Sequence, residues 1–333
     1  MTGERAAGRV AVVGVGYWGR NLARNFAELG ALAAIVDPNE AAAADAAART
    51  GAPIRSLGDV LADSAIEGVV VATRAETHFA IAKAALEAGK HVFVEKPLVL
   101  DEGEADALIA LAEGAGRVLM VGHLLHYHPV FRRMLEMVRS QEYGRLRYIY
   151  SDRLNLGKIR VEEDVLWSFA PHDISMVLAL AGEEPRQVSA QGAAFVTPPI
   201  SDIASVQLKF PSGVRAAIRA SWFHFEKVQQ LVAICDHAAI VFEDSQPEWG
   251  RKLAVHEHLV EMENGIPVPR RGQIRYVEIP PAEPLKLECA HFLSCMAGQS
   301  PARTDGREGR AVLRVLQRAT DAMVAAETEG QAN

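Results

Sequence analysis

The residues best suited to catalysis lie where an apolar stretch is followed directly by charged residues. Residues 91–94 are typical of a buried strand, and Glu95, Lys96 and Pro97 follow directly. Charged side chains at the carboxyl end of a parallel strand face the crevice in which open α/β sheets bind ligands. Pro97 fixes its own φ and favours an extended backbone at Lys96, which limits the directions open to the ammonium. The run predicts a pocket lined by Glu95 and Lys96; the alternative is a solvated turn after a strand.

A glycine-rich loop follows the first apolar run of the chain. Residues 9–13 predict a buried strand, GVGYWG follows at positions 14–19, and apolar residues then recur with helical spacing. This order of strand, glycine loop and helix predicts a dinucleotide site, because the glycines let a pyrophosphate approach the helix N-terminus. The predicted cofactor residues of the loop are Gly14, Gly16, Tyr17, Trp18 and Gly19. For Tyr17 and Trp18 the alternative is simple packing beneath the loop.

Asp37 indicates which dinucleotide binds. It ends a second apolar run, residues 32–36, at the point where dinucleotide-binding domains place a carboxylate on the ribose hydroxyls. That carboxylate would repel a 2′-phosphate, and Pro38 and Asn39 offer no cation to bind one, so we expect NAD rather than NADP. The alternative is that Asp37 is only a polar strand end.

Strands and helices alternate through the first third of the chain. A helix is predicted near 40–49 and strands near 53–55, 68–72, 91–94 and 118–121, which makes six strands with the first two. We expect a doubly wound parallel sheet, a Rossmann domain, over residues 1–122. Thr73 and His78 follow the fourth strand and would face the same crevice as Lys96. His78 opens a predicted helix over 76–88, and the alternative for it is simple exposure.

From residue 123 the pattern changes to strands with few helices between them. The predicted strands are 146–154, 187–195, 203–210, 214–223, 230–235 and 238–242, with helices near 172–181, 284–297 and 309–327. This indicates a largely antiparallel sheet with helices on one face, so the fold class is α/β with a second, α+β domain over 123–333. The other face of the sheet would stay uncovered, and we expect a homodimer or homotetramer.

The composition of the chain limits the classes of binding partner that we expect. The chain of 333 residues carries a net charge of −7, which disfavours nucleic-acid binding and favours a small molecule. No signal peptide and no apolar stretch long enough for a membrane span is recognisable, so a cytoplasmic protein is expected. Cys235, Cys289 and Cys295 form no CxxC pair and fit reduced thiols; we expect no metal site.

Taken together, these residues resemble the glucose-fructose oxidoreductase/inositol dehydrogenase/MocA family over essentially the whole chain. The resemblance is carried by the loop at 14–19, by Glu95-Lys96-Pro97 and by His172 at the start of a predicted helix. Segments 126–129, 154–160 and 167–174 are similar to the branch of nucleotide-sugar 3-dehydrogenases that act on UDP-N-acetylglucosamine or its uronic acid ahead of an aminotransferase. The resemblance implies that Lys96 and His172 work on the hydroxyl being oxidised.

One position departs from the family pattern. Many members carry an aspartate four residues before the histidine, where this chain has Ser168. Three residues could orient His172 in its place: Asp173, Tyr127 and His126. Without the resemblance, His172 would be read as a helix-start residue satisfied by backbone.

The candidate substrate residues, apart from Lys96 and His172, follow the chain into the second domain. His126 and His128, two apart beside a proline, suit contacts with substrate hydroxyls, with the alternative that at least one of them is structural, and Tyr127 between them is a further candidate. The cations for a diphosphate are Arg153, Lys158 and Arg160, with the alternative of a solvated turn balanced by nearby acidic residues at 162–164.

The chemistry expected is oxidation of a secondary alcohol. It needs a hydride acceptor, a positive charge at the alkoxide and a base for its proton. Lys96 would supply the charge, His172 would take the proton, and Glu95 would hold Lys96 in place. Two rivals remain at this point: a dehydrogenase of a free sugar or cyclitol, and a non-catalytic nucleotide-sensing protein.

Overall fold

The computed structural model describes residues 8–331, and the chain divides into two compact units. Of the described residues, unit 1 holds 8–127 and 283–313, and unit 2 holds 128–282 and 314–331. The domain boundary predicted at residue 122 stays a prediction. No helix among the described residues is long and apolar enough to cross a membrane.

Over residues 8–331 the elements, in chain order, are as follows. The helices are α1 (Gly19–Glu28), α2 (Glu40–Thr50), α3 (Leu57–Ala62), α4 (His78–Glu87), α5 (Glu102–Ala115), α6 (Pro129–Arg139), α7 (Val165–Ala181), α8 (Pro284–Met296) and α9 (Gly306–Gln331). The strands are β1 (Val10–Val13), β2 (Leu32–Val36), β3 (Gly68–Val71), β4 (His91–Glu95), β5 (Leu119–Gly122), β6 (Leu146–Leu156), β7 (Gln187–Ala193), β8 (Ile203–Lys209), β9 (Arg215–Ser221), β10 (Phe223–Cys235), β11 (Ala238–Glu243), β12 (Leu253–Glu263) and β13 (Ile266–Tyr276).

Unit 1 contains the parallel sheet that the sequence predicted. Its order is β2-β1-β3-β4-β5, and β1, β3, β4 and β5 are buried along their whole length. Strands buried on both faces are nearly all apolar, which explains why these runs show no alternation. The carboxyl ends of all five strands lie at one edge, and the glycine loop follows β1 there.

The predicted strand at 53–55 is wrong, so the sheet has five strands rather than six. Only an isolated bridge joins Ile54 to Ile35. Pro53 has no N–H to donate, and Ser56 already caps α3, its side chain accepting from the N–H of Asp59. The segment is therefore too short to form a strand.

Unit 2 contains an eight-stranded sheet in the order β13-β12-β11-β10-β6-β9-β8-β7. Every neighbouring pair is antiparallel except β6 with β9, so the expectation of a largely antiparallel sheet is confirmed. Helix α7 packs on β6, β8 and β9.

The predicted start of α7 at His172 is wrong. The helix begins at Val165 because the Asp164 side chain caps it, accepting from the N–H of Trp167 at 2.9 Å. Pro171 lies inside the helix, where it removes one backbone donor without ending the helix. His172 therefore lies in the helix interior, not at its N-terminus.

Candidate active site

The carboxyl end of β4 is tied to the glycine loop. The indole Nε1 of Trp18 donates to Glu95 Oε1 at 2.5 Å, although 77 residues separate the two. The backbone N–H of Lys96 lies 3.3 Å from the other carboxylate oxygen. The side chain of Glu95 is thus fixed by the loop in front of it and by its own chain, and Lys96 follows it directly.

Glu95 is buried, and opposing effects act on the pKa of its carboxyl group. Burial raises the pKa of this carboxyl to about 7, while the Trp18 hydrogen bond and the charges of Lys96 and His123 oppose the rise. Its carboxyl group lies against Gly122 on β5, where an added Cβ would stand 2.9 Å from the carboxyl carbon. Gly122 therefore leaves the room that this side chain occupies.

The side chain of His78 contacts the backbone of the segment that carries Lys96. The two ring nitrogens of His78 lie 2.8 Å from the carbonyl oxygen of Pro97 and 3.2 Å from that of Thr73. His78 is 1% exposed, so the alternative of simple exposure is wrong. Burial lowers the pKa of this imidazole. A neutral ring carries one N–H and can donate to only one of these two carbonyl oxygens, so His78 lies between the segments after β3 and β4 and bonds one of them.

The start of α1 is open to an anion. No side chain caps this helix and its first turn holds no acidic residue, whereas Asn39 caps α2 and Asp101 caps α5. Unsatisfied N–H groups at a helix start favour a phosphate. The helix end is therefore available to the pyrophosphate of a dinucleotide.

The three glycines of the loop differ in the space around them and in their backbone conformation. Gly14 has a φ of +87°, and a Cβ on Gly19 would stand 1.9 Å from the carbonyl oxygen of Gly14, so neither position accepts a side chain. At Gly16 an added Cβ would meet nothing within 4 Å, which leaves open space above the loop. These features fit a bound dinucleotide.

Asp37, Tyr17 and Thr73 border the same loop. The carboxylate of Asp37 accepts from the N–H groups of Val15 at 2.7 Å and Asn39 at 2.8 Å, so it fixes the turn as well as offering lone pairs. Tyr17 is 81% exposed and Arg20 lies 5.1 Å from its ring centre. Thr73 shares a hydroxyl contact of 2.7 Å with Thr77.

Two histidines after β5 meet a carboxylate that the sequence did not single out. His123 Nδ1 lies 2.5 Å from Glu308 Oε2, and His126 Nε2 lies 3.8 Å from Glu308 Oε1. Glu308 stands in the first turn of α9, 185 residues after His123. No local pattern links positions so far apart.

Tyr127 is a core residue. It is fully buried, and its hydroxyl lies 3.2 Å from Thr304 Oγ1. Burial raises the pKa of this phenol above its ordinary value. Tyr127 therefore supports the site from within the core of unit 1, and its predicted contact with substrate stays a prediction.

A second buried carboxyl, Glu288 on α8, was also missed. Both of its oxygens are buried and have no hydrogen-bond partner. Burial and then the charge of Glu95 raise the pKa of Glu288 well above its ordinary value. A glutamate on the same helical face as Leu285, Cys289 and Phe292 was the available signal.

In unit 2, the residues around His172 form a buried ionic group. Asp173, next to it on α7, accepts from Ser151 Oγ at 2.7 Å and from Arg153 Nε at 2.5 Å. His172 itself is partly buried and Ser168 is buried. Asp173 thus fixes α7 to β6, while the charge of Arg153 is already balanced.

The other two predicted cations lie in the loop after β6. Lys158 is exposed, and Arg160 Nη1 lies 2.7 Å from Glu163 Oε1, three residues on. The pair with Glu163 is the arrangement expected of a solvated turn. Lys158 is the more available of the two for a diphosphate.

Two family models match the chain. A model described as "Oxidoreductase family, NAD-binding Rossmann fold" matches residues 8–123, and one described as "GFO/IDH/MocA C-terminal domain" matches residues 131–241. The chain is an oxidoreductase with an NAD-binding Rossmann domain. It belongs to the GFO/IDH/MocA family.

Individual relatives extend this likeness over the whole chain. UDP-N-acetylglucosamine 3-dehydrogenase from Acidithiobacillus ferrooxidans is 32% identical over 96% of this chain and 97% of its own length. A solved structure of that enzyme has a TM-score of 0.83 at 31% identity, with 95% of this chain and 97% of that one covered. Myo-inositol 2-dehydrogenase from Thermotoga maritima is 27% identical over 72% of this chain and 76% of its own length.

Proposed function

We propose that the chain oxidises a secondary hydroxyl, at carbon 3, of a nucleotide sugar and passes the hydride to NAD. The substrate is UDP-N-acetylglucosamine or its uronic acid, and the 3-keto product is suited to later transamination. The observation that carries the proposal is the 32% identity to a UDP-N-acetylglucosamine 3-dehydrogenase over nearly the full length of both chains. The uncapped start of α1 and the Glu95–Lys96 strand end supply the dinucleotide and charge sites that such a reaction needs.

NAD is proposed rather than NADP. The carboxylate of Asp37 stands at the end of β2, held by the N–H groups of Val15 and Asn39. A fixed negative charge there favours ribose hydroxyls and disfavours a 2′-phosphate. Residues 1–122 would form the cofactor domain and residues 123–333 the substrate domain.

The proposed roles of the chain's residues follow from charge. An ammonium at Lys96 stabilises the developing alkoxide, because charge in a dry crevice acts far more strongly than in water. Glu95 lowers the cost of placing that ammonium there. His172 takes the hydroxyl proton, while His126 and Lys158 are proposed to contact the sugar and the diphosphate. NAD, when bound, accepts the hydride.

The test is substrate choice. NADH formation is measured with UDP-N-acetylglucosamine, UDP-N-acetylglucosaminuronic acid, glucose and myo-inositol, and then with NADP in place of NAD. Turnover of a UDP-sugar with NAD supports the proposal. Turnover of free polyols alone would favour the second candidate, a cyclitol or sugar dehydrogenase, which the similarity to myo-inositol 2-dehydrogenase suggests. Dinucleotide binding without any turnover would favour a nucleotide-sensing protein.

We also propose that the protein is a homo-oligomer, a dimer or tetramer, built through the sheet of unit 2. The sheet leaves large apolar side chains exposed, among them Tyr150 at 48%, Phe223 at 51% and Phe225 at 82%. Exposed apolar patches of this kind mark interaction surfaces. Sedimentation as a monomer would contradict the proposal. The three cysteines are buried free thiols, as expected for the proposed cytoplasmic location.

A further inference from the structure

A cavity of unit 1 lies at the amino ends of its parallel strands. It has a volume of about 670 Å³ and is bordered by residues before β3, by the start of β4, by Arg117 before β5 and by the end of α8. The glycine loop and Lys96 follow the carboxyl ends of the strands, at the opposite edge of the sheet. His91 and Glu95 are the first and last residues of β4, so at about 3.3 Å per residue they stand about 13 Å apart. The cavity is therefore separate from the candidate active site.

His91 lies between two hydrogen-bond donors. The N–H of Val118 donates to His91 Nδ1 at 3.0 Å, and Arg117 Nη1 lies 3.2 Å from His91 Nε2. Burial and then the charge of Arg117 lower the pKa of His91 to about 4, so the ring is neutral at pH 7. A neutral imidazole has one N–H and one accepting nitrogen. The ring can therefore accept from only one of these two partners.

The backbone decides which of the two partners the ring accepts from. Strand pairing fixes Val118, whose carbonyl oxygen accepts from the N–H of Val92 at 2.8 Å, whereas the guanidinium of Arg117 ends a long side chain that can turn. Nδ1 is then the acceptor and Nε2 carries the proton. The N–H groups of His91 Nε2 and Arg117 Nη1 face each other, and both need an acceptor. His91 is 9% exposed, and buried donors are nearly always satisfied by protein, water or an ion.

Lys90, next to His91, adds a buried positive charge. Its ammonium donates to the carbonyl oxygens of Asp63 at 2.7 Å and Ile66 at 2.9 Å, which leaves its third N–H for another acceptor. Neither Lys90 nor Arg117 forms an ion pair with a carboxylate among residues 8–331. Two cations and the N–H of His91 thus border one cavity.

The protein's own acceptors around the cavity are engaged or exposed. Helices α4 and α8 end here, but the carbonyl oxygens of Ala85 and Ser294 in their last turns accept from the N–H groups of Lys90 at 2.9 Å and Gln299 at 3.0 Å. Glu67 also lines the cavity, but it is exposed to solvent. An acceptor carried by a ligand therefore suits these donors better than one from the protein.

We propose that this cavity binds the oxyanion group, a carboxylate or a phosphate, of a small molecule, with Arg117, His91 and Lys90 as its donors. A planar guanidinium donates to two oxygens of such a group at once. The apolar side chains of Leu293 and Met296 border the same cavity and suit the carbon skeleton of an organic anion. The inference does not depend on the proposed reaction, because its residues lie at the other edge of the sheet.

The first test is nitrogen NMR of the His91 ring in the full-length protein, assigned with His91→Asn. At pH 7 the ring should carry its single proton on Nε2. Inorganic phosphate and, in a separate titration, acetate are added, and at least one of them should move the Nε2 resonance to a saturating value. The ion that binds more tightly identifies the class of ligand. A proton on Nδ1, or no saturable shift with either ion, would overturn the proposal.

The second test compares two arginine variants by calorimetry with the tighter ion, in protein saturated with NAD, which competes for the start of α1. Arg117→Gln removes the forked donor and should weaken binding at least about 10-fold, the usual effect of losing a hydrogen bond to a charged group. The matched control is Arg49→Gln, since Arg49 is exposed and pairs with Asp45 at 2.9 Å; its Kd should equal that of wild type. Equal affinities in the two variants would refute the site.

His91→Asn separates the two nitrogens of the ring. Its side-chain oxygen can take the place of Nδ1 and accept from the N–H of Val118, while the donor at Nε2 is lost. The variant should therefore fold, with a thermal midpoint near that of wild type in the absence of the ion, and should bind the ion more weakly. Wild-type affinity in this variant would show that His91 is not a donor to the ligand and would contradict the proposal.

Discussion

The buried charge of Glu95 should make the stability of unit 1 fall as pH rises. Burial raises the pKa of this carboxyl from 4.5 to about 7, so the folded state holds the proton more tightly than the unfolded state. Stability from this group is complete below about pH 4.5 and is lost as pH rises through about 7. At about 1.4 kcal/mol for each pKa unit, the loss comes to about 3 kcal/mol.

Glu95→Gln should remove this loss. The amide is neutral at every pH, and its carbonyl oxygen can still accept from the indole of Trp18. The variant should match wild type near pH 5 and exceed it by about 3 kcal/mol above pH 7.5, although turnover falls because Lys96 loses its carboxylate. The variant would thus be more stable and less active.

Hydrogen exchange of the β4 amides between about pH 5 and pH 8 measures the opening free energy of the strand that carries Glu95. The control is Glu87→Gln, since Glu87 is exposed and lies 3.5 Å from Lys83 on the outer face of α4. It should keep the wild-type pH dependence. If Glu95→Gln keeps that dependence too, Glu95 is not the group that titrates and the argument from burial fails.

Three further changes test separate parts of the structure. Lys96→Ala should keep NAD binding by calorimetry and lose about 100- to 1000-fold in turnover, the usual effect of removing one group that stabilises the charge of a transition state; a wild-type rate would contradict its role. Gly19→Ala should weaken NAD binding by at least about 10-fold, because its Cβ would stand 1.9 Å from the carbonyl oxygen of Gly14, and an unchanged Kd would contradict the loop geometry. Arg153→Met should destabilise unit 2 by about 3–5 kcal/mol in urea because Asp173 is left buried without its cation, and Arg153→Met combined with Asp173→Asn should recover most of that loss.

Much of the site could be predicted because its signals are local. The glycine loop, Asp37 at the end of β2, and Glu95 and Lys96 at the end of β4 each follow an apolar run within a few residues. Parallel strands buried on both faces leave little doubt about where they end, and their carboxyl ends meet at one edge. The alternation of elements therefore predicted the Rossmann sheet and the edge at which its carboxyl ends meet.

The two incorrect predictions, the strand at 53–55 and the start of α7 at His172, both concern segments that contain a proline. Pro53 stands in a stretch that resembles a strand, yet it cannot donate to one, and the capping of α3 by Ser56 decided the outcome. Pro171 directly precedes His172, the predicted helix start. Asp164 instead caps α7 at Val165, and the helix continues past Pro171. In both cases a side chain that satisfies backbone N–H groups outweighed the local propensity.

The sequence by itself determined the class of fold, the glycine loop after β1 and the position of Glu95 and Lys96 at the end of β4, because each depends on residues close together in the chain. Only the tertiary structure decided what surrounds that strand end. The bond from Trp18 to Glu95 joins positions 77 apart, and that from His123 to Glu308 joins positions 185 apart. Such contacts form when separate elements pack, and the charge of a buried carboxyl depends on which groups packing brings to it.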